Sequence, residues 1–326
     1  MVQIPHIYPP AAPTISGDTL TISRFLGSPA AVQRRLRTLT ENRFIADVLL
    51  SGRFKVAGGS ILYEQSESIF TSKLPEAVAP GAEYPRSSAT PGVAALAAVT
   101  KWGQDVPVTD EQIGRYGGRA AEVVLIKIAN QIIKQVDTVC LAAIAAAVTQ
   151  TGVAGQIAGV GGAARPWGAF TDLPSTTAAP LLDLMGAAAV IRALDQGYEP
   201  NVAVMNDMSF ARVVGNAAVI AGLPREDRNS VTARGIAAVG EIAGVLPLPT
   251  NNLPVAATCF VLDTTMLGGI GYEQIPSPEY TGDPANGVES YSRRDPAAND
   301  QWLIRGRRPV VPVVQEPGAG YKITNV

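Results

Sequence analysis

The chain has 326 residues, a formal net charge of −2, 47% apolar and 17% charged residues, and a single histidine, His6. That length holds one large domain or two with enough apolar content for a proper core, and the near-neutral balance argues against a dedicated nucleic-acid binder. One histidine and two distant cysteines, Cys140 and Cys259, remove Ser-His-Asp triads, zinc-protease centres, a disulfide framework and four-thiolate metal sites.

Residues 1–27 carry Pro5, Pro9, Pro10 and Pro13 and lack the basic and apolar regions of a signal peptide. Ser28-Pro29 then opens a short amphipathic helix to Arg43, with Ser28 as N-cap and Pro29 at the first helical position. Its Arg34, Arg35 and Arg37 form a basic face, read either as a solvated surface or as a patch that meets phosphates or an acidic partner. Strands and loops follow from Leu49 to Val108. Phe54–Val56 and Ser60–Tyr63 flank a Gly58-Gly59 break, a turn-rich run holds Pro75, Pro80-Gly81, Pro85 and Pro91-Gly92, and Val93–Trp102 returns as a strand. So long an excursion with few large apolar residues stays mobile or packs on a neighbouring molecule.

A long helix begins at Thr109, which stands at capping-box spacing from Gln112; Gly114 and Gly117-Gly118 break or kink its first turns. From Arg119 to Thr149 it carries an apolar stripe of Val124, Ile128, Ile132, Val136, Val139 and Ala143, with Lys127, Gln131, Lys134 and Asp137 polar. Such a helix is about 45 Å long. The uncharged run Thr138–Ala164 is consistently apolar only over Val139–Val148, so no membrane span is predicted. After a Gly-rich loop from Gly152 to Pro174, the pattern gives a helix at Leu181–Leu194, a strand at Val202–Met205 and a helix at Met208–Val214, with Asn206-Asp207 supplying turn and cap. Val219–Val245 mixes short elements with a polar loop at 225–229. A strand at Thr258–Leu262, a Gly268-Gly269 turn and C-terminal strands at Val288–Arg293, Gln301–Arg305 and Val310–Val314 complete the reading.

No catalytic, cofactor-binding or metal-ligating constellation stands out. Gly159–Ala164 matches the dinucleotide-binding pattern in form, but a helix precedes it and Arg165-Pro166 follows, the wrong setting for a pyrophosphate. Cys140 and Cys259 read as small core residues. Arg225-Glu226-Asp227-Arg228 reads as a solvated loop with local ion pairs, and Arg305, Arg307 and Arg308 as inter-subunit salt bridges or solvated charges in preference to phosphate ligands.

The order of elements resembles the major capsid proteins of tailed double-stranded DNA bacteriophages, with the Hong Kong 97-type fold. Residues 75–85 (PEAVAPGAEYP) look like the extended loop of those proteins, and 106–111 (VPVTDE) like the lead-in to their spine helix. Ile128-Ala129-Asn130 with Val136-Asp137 looks like the body of that helix. Gln301–Arg305 through Pro312–Pro317 looks like the closing strands and tail.

The resemblance implies an α+β fold in five parts. These are an N-terminal arm with a short basic helix (1–48), an extended β-hairpin loop (49–107), a peripheral domain on a long spine helix (108–171), an axial α/β domain (172–275), and peripheral C-terminal strands and tail (276–326). It implies a structural, non-enzymatic protein, without cofactor, assembled in the host cytoplasm into a virion. Pentamers and hexamers of the chain would form an icosahedral shell around packaged double-stranded DNA. A portal and a separate scaffolding protein would be its partners, since only the arm precedes the loop, and a cement or decoration protein is a further candidate. Arg34, Arg35, Arg37, Lys73, Glu76, Arg305, Arg307 and Arg308 are the candidate inter-subunit or interior contacts. Lys73 with Asn286 or Asn299 has the residue types of an isopeptide cross-link but no motif to support one. The alternative on the same fold is an encapsulin-like nanocompartment shell around a cargo enzyme.

Overall fold

A computed structural model describes residues 32, 35–36, 44–66, 69–89, 91–116, 118–157, 167, 180–216, 241–242, 244–277, 279–285, 287–295 and 300–326. The Pro-rich arm, Arg34, Arg37, residues 159–164 and 225–229, Asn286 and Asn299 lie outside them. Of the arm helix, Val32, Arg35 and Leu36 are helical, and Val32 and Leu36 are fully buried.

The chain then runs α1 (Ile45–Leu49), β1 (Gly52–Val56), β2 (Ser60–Gln65), β3 (Val93–Ala98), β4 (Thr100–Thr109), α2 (Asp110–Tyr116) and α3 (Gly118–Ala147). It continues through β5 (Thr151–Val153), α4 (Pro180–Arg192), β6 (Val202–Met205), α5 (Asp207–Val214), β7 (Leu246–Pro249), β8 (Thr258–Leu262), β9 (Gly268–Glu273), β10 (Glu289–Arg294), β11 (Gln301–Val314) and β12 (Gly320–Thr324). The expected capping box closes at the head of α2: Gln112 N–H donates to Thr109 Oγ1 at 3.3 Å, and Thr109 N–H donates to Gln112 Oε1 at 3.4 Å. Asn206 caps α5 by accepting from Met208 N–H. Two helices stand where one was expected, α2 ending at Tyr116 and α3 starting at Gly118; Gly114 stays inside α2.

The described residues form three sheets. In the first, β11 carries β4 antiparallel along one edge, and β10 then β9 along the other, with β1 parallel on β9. The two strands expected at Gln301–Arg305 and Val310–Val314 are thus one strand of 14 residues. Pro309, a residue usually kept out of central strands, falls in the gap where the partner changes from β10 to β9. Gly268-Gly269, expected as a turn, opens β9, because the neighbouring backbones leave no room for side chains. A Cβ on Gly269 would stand 2.5 Å from the Gly52 carbonyl carbon.

The second sheet has the order β5-β12-β8-β6-β7. Its β12 corrects the expectation of a tail: Tyr321 and Ile323 are buried in mid-sheet, paired with Val261 and Cys259 of β8. Residues from either side of 172–275 therefore complete this sheet, while β9 leaves it for the first. The third sheet is the β2–β3 ribbon alone.

Helix α3 lies on β11 and β4. Its buried seam is Ala121, Leu125, Ile128, Ala129, Ile132, Val136, Cys140, Leu141 and Ile144. Three of the expected stripe positions sit in the seam, whereas Val124, Val139 and Ala143 are half-buried on its flank. Gly306 lets the helix approach: a Cβ there would stand 2.8 Å from the side chains of Ile128 and Ile132.

Asp137 departs most from its expected place among the polar positions. It is 1% exposed. Helix α1 has no side-chain cap of its own, and Asp137 supplies one from α3, accepting from Ala46 N–H at 3.0 Å and from Ile45 N–H at 3.4 Å. Burial pushes its carboxyl up to about 6; the two N–H groups and Arg308 oppose that shift, and Asp47 adds to it.

Candidate assembly surface

Among the described residues nothing packs on one face of the β2–β3 ribbon. Leu62 and Leu96 are direct cross-strand partners, and they are 72% and 70% exposed. An isolated two-stranded ribbon is marginal in water, so its base has to hold it. Gln65 Nε2 donates to Val314 O at 2.8 Å, Ser66 N–H to Gln315 O at 3.0 Å, Gly59 N–H to Glu273 Oε1 at 3.2 Å and Val99 N–H to Gly59 O at 2.9 Å. The loop beyond is pinned across its neck, where Ser72 N–H donates to Ser88 O at 3.0 Å and Ser88 N–H to Ser72 Oγ at 2.9 Å. On either side of this neck, Ile69, Phe70, Leu74 and Tyr84 are 50% to 80% exposed. Large apolar side chains held out on an anchored arm mark a surface built to be covered.

Lys73 and Glu76 stand exposed on this loop, and neither forms an ion pair with a described residue. The other candidates among the described residues, Arg35, Arg305, Arg307 and Arg308, are partnered within the chain. Arg35 pairs with Glu122 on α3, both half-exposed. Arg305 faces Asp105 in the β11–β4 register and pairs with it, and its Nη1 donates to Tyr280 Oη at 3.0 Å. Those bonds push the guanidinium above its usual value. Arg307 faces Glu289 in the β11–β10 register, and its Nε donates to Glu289 Oε2 at 2.6 Å with both side chains buried. Its guanidinium also lies 3.5 Å from the Tyr280 ring centroid.

Arg308 is fully buried. Its Nη2 donates to Asp47 Oδ1 at 2.8 Å and Oδ2 at 3.0 Å, and it stacks 4.1 Å from the Phe44 ring centroid. Arg307 and Arg308 are therefore spent on the protomer's own fold, tying β11 to β10 and to α1. Sequence reasoning missed the acids that hold Arg305 and Arg308. Asp105 and Asp47 lie 200 and 261 residues from them, pairings only the folded chain reveals.

Both cysteines are buried, as expected, and burial pushes the Cys140 thiol up to about 12. Among the described residues no helix is long and apolar enough to cross a membrane, and no group of acids, cysteines and histidine is placed to hold a metal ion.

A family model described as phage capsid protein matches residues 92–323. The capsid structure of cyanophage P-SCSP1u is 15% identical, with 86% of this chain and 88% of that chain covered at a TM-score of 0.58. A structure from Microbacterium phage Oxtober96 is 13% identical, covering 87% and 91% at 0.54. The virus-like particle from Pyrococcus furiosus is 9% identical, covering 90% and 98% at 0.55. No curated protein matches the chain. At these identities the likeness shows a shared fold, the α+β Hong Kong 97-type fold.

Proposed function

The chain belongs to the phage capsid protein family, and from that premise we propose that it is the major capsid protein of a tailed phage, assembling as pentamers and hexamers into an icosahedral shell around double-stranded DNA. The observation that carries this reading is the anchored β2–β3 arm, whose Leu62–Leu96 pair stands open to water in the single subunit and is buried when a second copy covers it. In this reading the second sheet with α4 and α5 is the axial domain, and the first sheet with α3 is the peripheral domain. Residues 1–48 are the N-terminal arm, and within 49–107 the β2–β3 ribbon and its loop are the extended loop that reaches to neighbours, β1 and β4 belonging to the first sheet. Many modest contacts then sum to a stable shell by multivalency. A separate scaffolding protein and a portal are partners in assembly, with a cement protein as a further candidate. Lys73 and Glu76 are the candidate inter-subunit charges. Of the arm-helix arginines, Arg35 is already held by Glu122.

A second reading, an encapsulin-like compartment around a cargo enzyme, draws on the fold shared with the Pyrococcus furiosus virus-like particle. Negative-stain microscopy of the expressed protein, with nucleic acid and co-purifying protein measured on the same sample, separates the two. Closed shells that fill with DNA support the capsid reading, and small uniform shells carrying one enzyme support the compartment. A monomer that stays unassembled even with scaffold supplied overturns both.

A further inference from the structure

We propose that the exposed face of α3 is a track for double-stranded DNA, an inference that rests on the capsid reading above. The helix contains only two acids, Glu122 and Asp137, and both are engaged within the chain. Glu122 is held by Arg35, and Asp137 is buried against the first turn of α1. Its bases, Arg119, Lys127 and Lys134, are all exposed, and none forms an ion pair with a described residue.

An ordinary solvated helix face sets Glu four residues before Lys. Here Val123 and Asn130 occupy those places ahead of Lys127 and Lys134. Positive charge is thus gathered on one face of a chain whose net charge is −2. From Arg119 to Lys134 the rise is about 22 Å, and a duplex of that length presents roughly a dozen phosphate charges.

Asn130 and Gln131, also exposed here, add amide donors for phosphate oxygens. A protein occupant finds little to grip, because Val123 and Ile126, at 39% and 38% exposed, are the large apolar side chains open on α3. Contacts of this kind fix no base sequence, as a surface serving any packaged genome requires.

The test is binding of full-length protein to a short fluorescent duplex across a salt series, for the native chain, for Lys134→Gln and for Arg119→Gln/Lys127→Gln/Lys134→Gln. Each cation removed should flatten the slope of log K against log salt by about 0.9, so the triple variant loses close to three. A control of Lys73→Gln with Arg86→Gln on the loop should keep the native slope. Native slopes in both α3 variants, with melting temperatures unchanged, overturn the proposal. So does a native chain that ignores DNA but binds polyglutamate through the same three residues, which would make the occupant an acidic protein. Shell formation is scored in parallel by microscopy: shells without α3-dependent DNA binding overturn this inference alone, whereas absence of shells overturns the capsid reading with it.

Discussion

Replacing Leu62 and Leu96 together by serine should cripple assembly while leaving the subunit intact. Burial of a leucine side chain stabilises by about 1.5–3 kcal/mol, and with some 70% of each surface still open a neighbour recovers roughly 1–2 kcal/mol per residue. The pair then contributes about 2–4 kcal/mol per subunit contact, which raises the assembly threshold roughly 30- to 700-fold at 1.4 kcal/mol per decade. Stability of the free subunit should move by no more than about 0.5 kcal/mol, since exposed side chains contribute little to their own fold. Light scattering against protein concentration gives the threshold, and thermal melting of the unassembled chain gives the control. An unchanged threshold with an unchanged melting temperature would refute the claim that this ribbon face is buried between subunits.

Three further outcomes follow from the packing. Asp137 has its carboxyl raised from 3.8 to about 6 in the folded chain, so the native state binds more protons in that window and stability falls as pH rises through it, by about 3 kcal/mol at most. Asp137→Asn keeps an acceptor for Ala46 N–H, and denaturant titrations between pH 4 and 7 should show that slope flattened; a native-like slope would remove Asp137 as its source. Gly306→Val drives methyl groups into Ile128 and Ile132 and should cost about 1–3 kcal/mol in chemical denaturation, with no loss meaning that α3 does not sit this close to β11. Arg308→Ala removes the buried partner of Asp47, leaving it Arg53 at 3.5 Å, and should cost about 3 kcal/mol, whereas Arg35→Ala, breaking a half-exposed pair with Glu122, should cost under about 1 kcal/mol by the same measurement.

Local chemistry made much of this fold legible. The long helix α3, the capping box at the head of α2 and the strands Val202–Met205 and Thr258–Leu262 follow from periodicity and caps, which act over a few residues. Elements that depend on distant neighbours were harder to see. Pro309 and the Gly268-Gly269 pair carry turn signals, yet both lie in strands because of what stands beside them: a change of partner strand in one case, the Gly52 backbone in the other. Strand β12 did leave a signal, since Tyr321-Lys322-Ile323-Thr324 alternates with period two, although Pro317 and Gly320 mask it. Asp137 reads as one more polar helix position until α1 is laid against it. The exposed arm was legible as a segment poor in large apolar residues, but the Leu62–Leu96 pairing needed the register.

A cryo-EM reconstruction of particles assembled from this chain tests the central claim most directly. The account predicts a closed shell in which the Leu62–Leu96 face of each arm lies against a second copy and the second sheets gather around the five- and six-fold axes. Particles in which that face projects freely into solvent, or a chain that forms none under assembly conditions with scaffold present, would contradict it.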